Sequence, residues 1–178
     1  MSIQIFILSK LMVDNNYPYK LKKQLSEPIP LDELGGLTES KLYYHFDSLA
    51  KKGLIEPVKI IKEEHRPDKQ VFAITEKGRE ALPTLIYKLF EQAEDMKDMV
   101  VGLANMKYVN RDQVAEILER KLKNIKTVSE KLNHFEHVKT GDDSEKIREF
   151  LSGYFSTRTE HTIEWLEKLI IHIKQEEI

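Results

Sequence analysis

Three helical patterns within residues 3–52, two β-prone runs directly after them, and three long apolar stripes beyond residue 75 predict a mainly α-helical chain. The order helix, helix, helix, hairpin is that of a winged helix-turn-helix with a two-stranded β-wing. The stripes after it make a long-helix C-terminal region, and the expected domains are residues 1–80 and 81–178.

Residues 3–13 carry apolar groups nearly all round a helix (Ile3, Ile5, Phe6, Ile7, Leu8, Leu11, Met12), which places that helix in the middle of a core. Asp14-Asn15-Asn16 is a turn cluster. Pro18 suits the first turn of a second helix over 18–26, with Leu21 and Leu25 inward and Lys20, Lys22 and Lys23 in solvent. Pro28, Pro30 and Gly35-Gly36 interrupt the chain. Thr38 then caps a third helix over 39–52, which ends on Lys51-Lys52 followed by Gly53: cations in the last turn, then glycine.

LIEPVKIIK and QVFAIT read as the wing strands. The charged tip between them, EEHRPDK, is longer than a two-residue turn and is expected to be a mobile loop. Thr75 caps the next helix. Leu82, Leu85, Ile86, Leu89, Phe90, Ala93 and Met96 recur at three- and four-residue steps and carry it past Pro83 to about Leu103. Two more amphipathic helices cover 112–137 and 144–177, parted by a break from His137 through Gly141 to Ser144.

Composition narrows the function. Cysteine is absent, which excludes disulfides, Cys-ligated zinc, iron–sulfur clusters and thiol redox sensing. His134 and His137 lack the third and fourth ligands a metal site needs. No phosphate-cradling glycine loop, G-x-S-x-G elbow or H-E-x-x-H occurs, so no enzyme activity, catalytic residue, metal or cofactor is expected. The apolar start MSIQIFILSKLMVD is interrupted by Gln4, Ser9 and Lys10 and is too short to span a bilayer, so the chain is expected in the cytoplasm. Residues 1–80 hold 13 basic and 12 acidic groups, residues 81–178 hold 15 and 18; the bias toward a basic N-terminal half is slight.

At about 100° per residue, Leu42, Phe46 and Leu49 of the third helix share a narrow inward stripe. Ser40, Lys41, Tyr44 and Ser48 face away, with Tyr43 on the flank and Asp47 diluting the charge. Hydroxyls, an ammonium and aromatic rings are groups that reach phosphates, base edges and thymine methyls in duplex DNA. Polar side chains on a helix surface are the rule. Two further features single this one out: Arg66 and Lys69 at the wing tip, where a minor groove would lie, and Lys20, Lys22 and Lys23 on the helix that would cross the backbone.

The segments YPYKLKKQL, LTESKLYYHFDSLAKKGLIE and RPDKQVFAITEKGREAL resemble the PadR family of winged-helix regulators. The matching positions are Leu42-Tyr43, Leu49, Lys51-Lys52-Gly53-Leu54-Ile55, Arg66-Pro67-Asp68-Lys69, Phe72, Ile74-Thr75 and Gly78. The resemblance implies a homodimeric repressor bound to an inverted-repeat operator, with Thr38, Ser40, Lys41, Tyr43 and Tyr44 at the DNA and the C-terminal helices making the dimer. Pro18 stands where the family usually has glycine, and the segment before the recognition helix is long. Relatives sense phenolic acids or flat drugs, so Phe150, Tyr154 and Trp165 are candidates for an effector pocket for a small aromatic ligand. Aromatic residues at helical spacing also serve simply as core.

Three apolar stripes are hard to bury in one small helical hairpin, and pairing with a second copy resolves this. The alternative from another class is a winged-helix protein-interaction module that binds no DNA, which the modest N-terminal charge favours.

Overall fold

The computed structural model describes residues 1–25, 31–34, 39–63, 66–135 and 145–178. Its contacts divide it into two compact units, Met1–Asn110 and Arg111–Ile178.

In the first unit, α1 (Ser2–Leu11) is the central rod, with Ile3, Ile5, Phe6, Ile7, Leu8 and Leu11 all buried. Its one buried hydroxyl, Ser9 Oγ, donates to Phe6 O at 2.9 Å, so nothing polar is stranded there. α2 (Pro18–Lys22) starts on its proline and is shorter than the span expected from Leu21 and Leu25. A four-residue helix, α3 (Leu31–Leu34), lies between Pro30 and Gly35, in the segment where the sequence was expected to be interrupted. α4 (Glu39–Lys51) follows and packs on α1, α2 and the first strand.

The wing is β1 (Ile55–Glu63) antiparallel to β2 (Arg66–Ile74). The ladder continues through Ile61–Lys69 to Glu63–Arg66, so only residues 64 and 65 lie between the strands. The long loop expected over EEHRPDK is therefore corrected: charged side chains tolerate a solvent-facing strand, and their polarity is no evidence against pairing. On its other side β2 gains a single bridge to Asn16, with Asn16 N donating to Phe72 O at 3.1 Å and Phe72 N to Asn16 O at 2.8 Å.

The helix expected to run from Thr75 to Leu103 is two helices, α5 (Glu76–Gln92) and α6 (Met96–Leu103). α5 does pass through Pro83, but the chain turns extended at Ala93. Asp95 then caps α6 by accepting from Asp98 N at 3.2 Å, while Asp98 accepts from Asp95 N at 3.3 Å. That reciprocal box starts a new helix inside an uninterrupted apolar repeat. A Cβ on Gly102 would come within 2.8 Å of Leu89 and 2.9 Å of the Phe90 ring, so α6 folds back on α5 at a glycine. α5 crosses residue 80 and packs on α1, within the first unit.

The second unit is a hairpin of α7 (Arg111–Phe135) and α8 (Glu145–Lys174). Lys126–Glu167 at 2.6 Å and Glu119–Lys174 at 2.5 Å fix it as antiparallel. That register sets Phe135, the end of α7, roughly level with Arg158. Val114, Ala115, Ile117 and Leu118 of α7 are buried, as are Leu166, Leu169, Ile170 and Ile173 of α8. From 145 to 161 no residue of α8 is buried. Among the described residues no helix is long and apolar enough to cross a membrane.

Candidate nucleic-acid interface

α4 has two sides, and the sequence decides which faces in. Leu42, Phe46 and Leu49 are fully buried, and the Phe46 ring lies 5.2 Å from that of Phe72 on the wing. Ser40, Lys41 and Asp47 are exposed; Tyr43 keeps 47% of its surface and Tyr44 70%. Two tyrosines this open on a short helix are not core residues. Their rings are stiff, apolar on the face and polar at the tip, suited to a surface that is both stacked and hydrogen-bonded.

The far end of α4 is set by Gly53, whose φ of +69° is the left-handed geometry that ends a helix. Gly53 N donates to Ala50 O at 2.9 Å and Leu54 N to Leu49 O at 3.0 Å, which satisfies the last carbonyls.

The cations expected beside this face are placed unevenly. Lys22 and Lys23 are exposed on and just after α2. Lys20 is half-buried and its Nζ donates to Asp14 at 3.3 Å, a surface pair that leaves the ammonium within reach of a stronger anion. Lys69 is half-buried too, its Nζ 5.5 Å from the centre of the Tyr17 ring. Arg66 opens β2, but its side chain, like all of Thr38, lies outside the described residues. Lys69 and Tyr17 therefore meet next to the Asn16–Phe72 bridge, joining the wing to the turn before α2.

Sequence reasoning missed Tyr17, Tyr19 and the lysines of β1. Pro18 holds Tyr17 extended, at φ −130° and ψ 157°, and this is the signal that could have found it. Lys23 Nζ stands 5.3 Å over the Tyr19 ring, and Lys59 and Lys62 are exposed on β1.

His45 borders the buried stripe, its Nδ1 buried without a hydrogen-bond partner among the described residues and its ring edge-on to Tyr44 at 5.2 Å. Burial pushes its pKa below the usual imidazole value of 6.5, and the Met1 ammonium, Lys52 and Lys41 push the same way. Below about 6.5 the unfolded chain takes up a proton that the folded chain refuses. Stability is thus whole above that pH and drains away as pH falls toward the lowered folded value. Melting His45→Gln beside the parent chain between about pH 5 and 8 should show the variant losing less on acidification; parallel curves would exclude the effect.

On α8, Phe150 and Tyr154 lie along one stripe with Gly153, Thr157, Arg158 and His161. Trp165, the third residue of the expected trio, follows one turn beyond His161 and is half exposed. Its ring is occupied by Lys168, with Nζ 4.5 Å from the centroid, and neighbours His161 at 6.2 Å. The described lining comes from α8 alone, so this is the open face of a helix. Among the described residues no cluster could hold a metal ion; His137 and the side chain of His134 lie outside them.

Residues 7–84 match the model of the Transcriptional regulator PadR-like family. No curated protein matches the chain. Among solved structures the chain is similar to Bacillus subtilis PadR in complex with operator DNA, at 15% identity, covering 97% of this chain and 99% of that one, with a TM-score of 0.42. It is also similar to Bacillus subtilis PadR in complex with p-coumaric acid, at 14% identity, 98% and 99% coverage and a TM-score of 0.42. A PadR-like transcriptional regulator from Bacillus cereus matches at 16% identity, 97% and 96% coverage and a TM-score of 0.40. The family match thus covers 78 of the 178 residues, within the winged-helix unit, where the chain resembles the PadR-like transcriptional regulators.

Proposed function

We propose that the chain is a cytoplasmic DNA-binding repressor that holds an inverted-repeat operator as a homodimer and is released by a small aromatic effector. The observation that carries this is the division of α4: Leu42, Phe46 and Leu49 are locked inward, and Ser40, Lys41, Tyr43 and Tyr44 are held outward on a helix of 13 residues. A major groove admits one such rod. Lys20, Lys22 and Lys69 flank it as phosphate partners, with Thr38 and Arg66 extending the same contact. The unburied half of α8, carrying Phe150 and Tyr154, supports pairing with a second copy and aromatic ligand contact. In this assignment residues 1–80 read the DNA and residues 81–178 dimerise.

A duplex selected from genomic fragments and titrated across salt tests the reading. Affinity should fall steeply between about 50 and 200 mM salt, as counterion release requires. Lys41→Ala should weaken binding alike on all sequences and reduce the salt slope by about one. Tyr43→Ala should cost about 1–3 kcal/mol on the selected duplex and relax its specificity. Unchanged affinity in both variants would place the wrong face on DNA, and no binding at low salt would favour the protein-interaction module.

A further inference from the structure

The carbonyl end of α4 does not run out into solvent; the first turn of α5 takes it up. Thr75 Oγ1 donates to Gly53 O at 2.7 Å and accepts from Gly78 N at 3.1 Å, so one hydroxyl ends α4 and begins α5. Thr75 N donates to Leu54 O at 3.1 Å. Lys77 Nζ donates to Lys52 O at 2.9 Å, which sets an ammonium at the negative end of the helix dipole. Gly78 approaches so closely that a Cβ there would stand 2.1 Å from Leu54 O. Three successive carbonyls, Lys52 to Leu54, are thus held from one turn of a neighbouring helix.

Building on the DNA-reading role of α4 given above, we propose that Thr75 and Lys77 are positioning residues for sequence recognition. By clasping one end of α4 they fix its tilt, and with it the reach of Tyr43 and Ser40 toward base edges. The lever is long: α4 measures about 20 Å, so a tilt of roughly 3° at the clasp moves the opposite end by about 1 Å. Hydrogen bonds to base edges do not survive such a shift. Phosphate contacts through flexible lysine stems do. The clasp therefore governs specificity and leaves the salt-dependent, sequence-blind part of binding intact.

The test uses the full chain, a duplex it selects from a random pool, and a scrambled duplex of the same composition, each titrated across salt with melting measured alongside. Lys77→Met keeps the aliphatic stem and loses the donor. Thr75→Asp keeps an acceptor for Gly78 N but has no proton for Gly53 O, and its added charge acts equally on both duplexes and drops out of their ratio. Thr75→Ser keeps both bonds. Lys77→Met and Thr75→Asp should each cut the preference for the selected duplex about 3- to 10-fold, as partial loss of one base-edge contact predicts. Salt slopes should stay at the parent value, and Thr75→Ser should restore the preference. An unchanged preference in both variants overturns the proposal. So does an equal loss on both duplexes with a smaller salt slope for Lys77→Met, which would make Lys77 a phosphate contact. If the parent chain selects no duplex, the DNA reading fails and takes the clasp with it; if it selects one that the variants still prefer, the clasp alone fails.

Discussion

Phe150→Glu combined with Tyr154→Glu should convert the chain to a monomer and lower its affinity for an inverted-repeat duplex by about 10²- to 10⁴-fold, the range lost when two linked contacts become one. The reason lies in the first half of α8. Ile147, Phe150, Tyr154 and Phe155 stay 63%, 74%, 53% and 53% exposed. The antiparallel register with α7 leaves this half beyond the level of Phe135. Among the described residues no other element lies beside this half, and an isolated helix of that length is marginal in water, which is why pairing with a second copy is the expectation tested. Each large apolar side chain buried contributes about 1.5–3 kcal/mol, and a two-fold contact counts every change twice. The buried residues Leu166, Leu169, Ile170 and Ile173 are untouched, so helix content should remain. Sedimentation and circular dichroism decide it: a variant that remains dimeric, or a parent chain that is monomeric, removes α8 from the assembly.

Gly78→Ala should destabilise the first unit by about 3 kcal/mol, the upper part of the overpacking range, and lower its melting temperature by about 10 °C or more. The added methyl would collide with the Leu54 carbonyl at 2.1 Å and with the Ile74 side chain at 2.8 Å, and the first of these is backbone that cannot rotate aside. Gly53→Ala provides the contrast. Nothing lies within 4 Å of its Cβ position, so only the left-handed φ of +69° opposes the substitution, at about 1 kcal/mol. Urea or thermal melts that rank the two equally would show that the contact at Gly78 relaxes freely.

Most of the winged helix was legible in the sequence because each signal there had one physical meaning. An all-round apolar segment can only be a central rod, and Gly53 after two lysines ends a helix whatever surrounds it. The stripe of Leu42, Phe46 and Leu49 determined the outward face of α4 before any contact was known. What was not legible turned on local competition. The apolar repeat of Leu89, Phe90, Ala93 and Met96 runs on through a helix boundary, and only the Asp95–Asp98 pair marks the restart. The wing tip looked like a loop because its charges were counted and its pairing capacity was not. In the candidate site, Tyr17 was missed because its contact is with Lys69, which is distant in sequence, and spacing alone could not show that Lys168 stands over the Trp165 ring.

The bridge between Asn16 and Phe72 has a consequence for how the first unit comes together. A two-stranded ribbon alone is barely stable, and here its inner strand is completed by residues that precede α4. Closing that contact loops the whole intervening chain, an entropic cost that the packing of α4 on α1 within the same unit helps to offset. The wing is accordingly anchored non-locally rather than built as a transplantable module, and its geometry reports on the integrity of everything between its two ends.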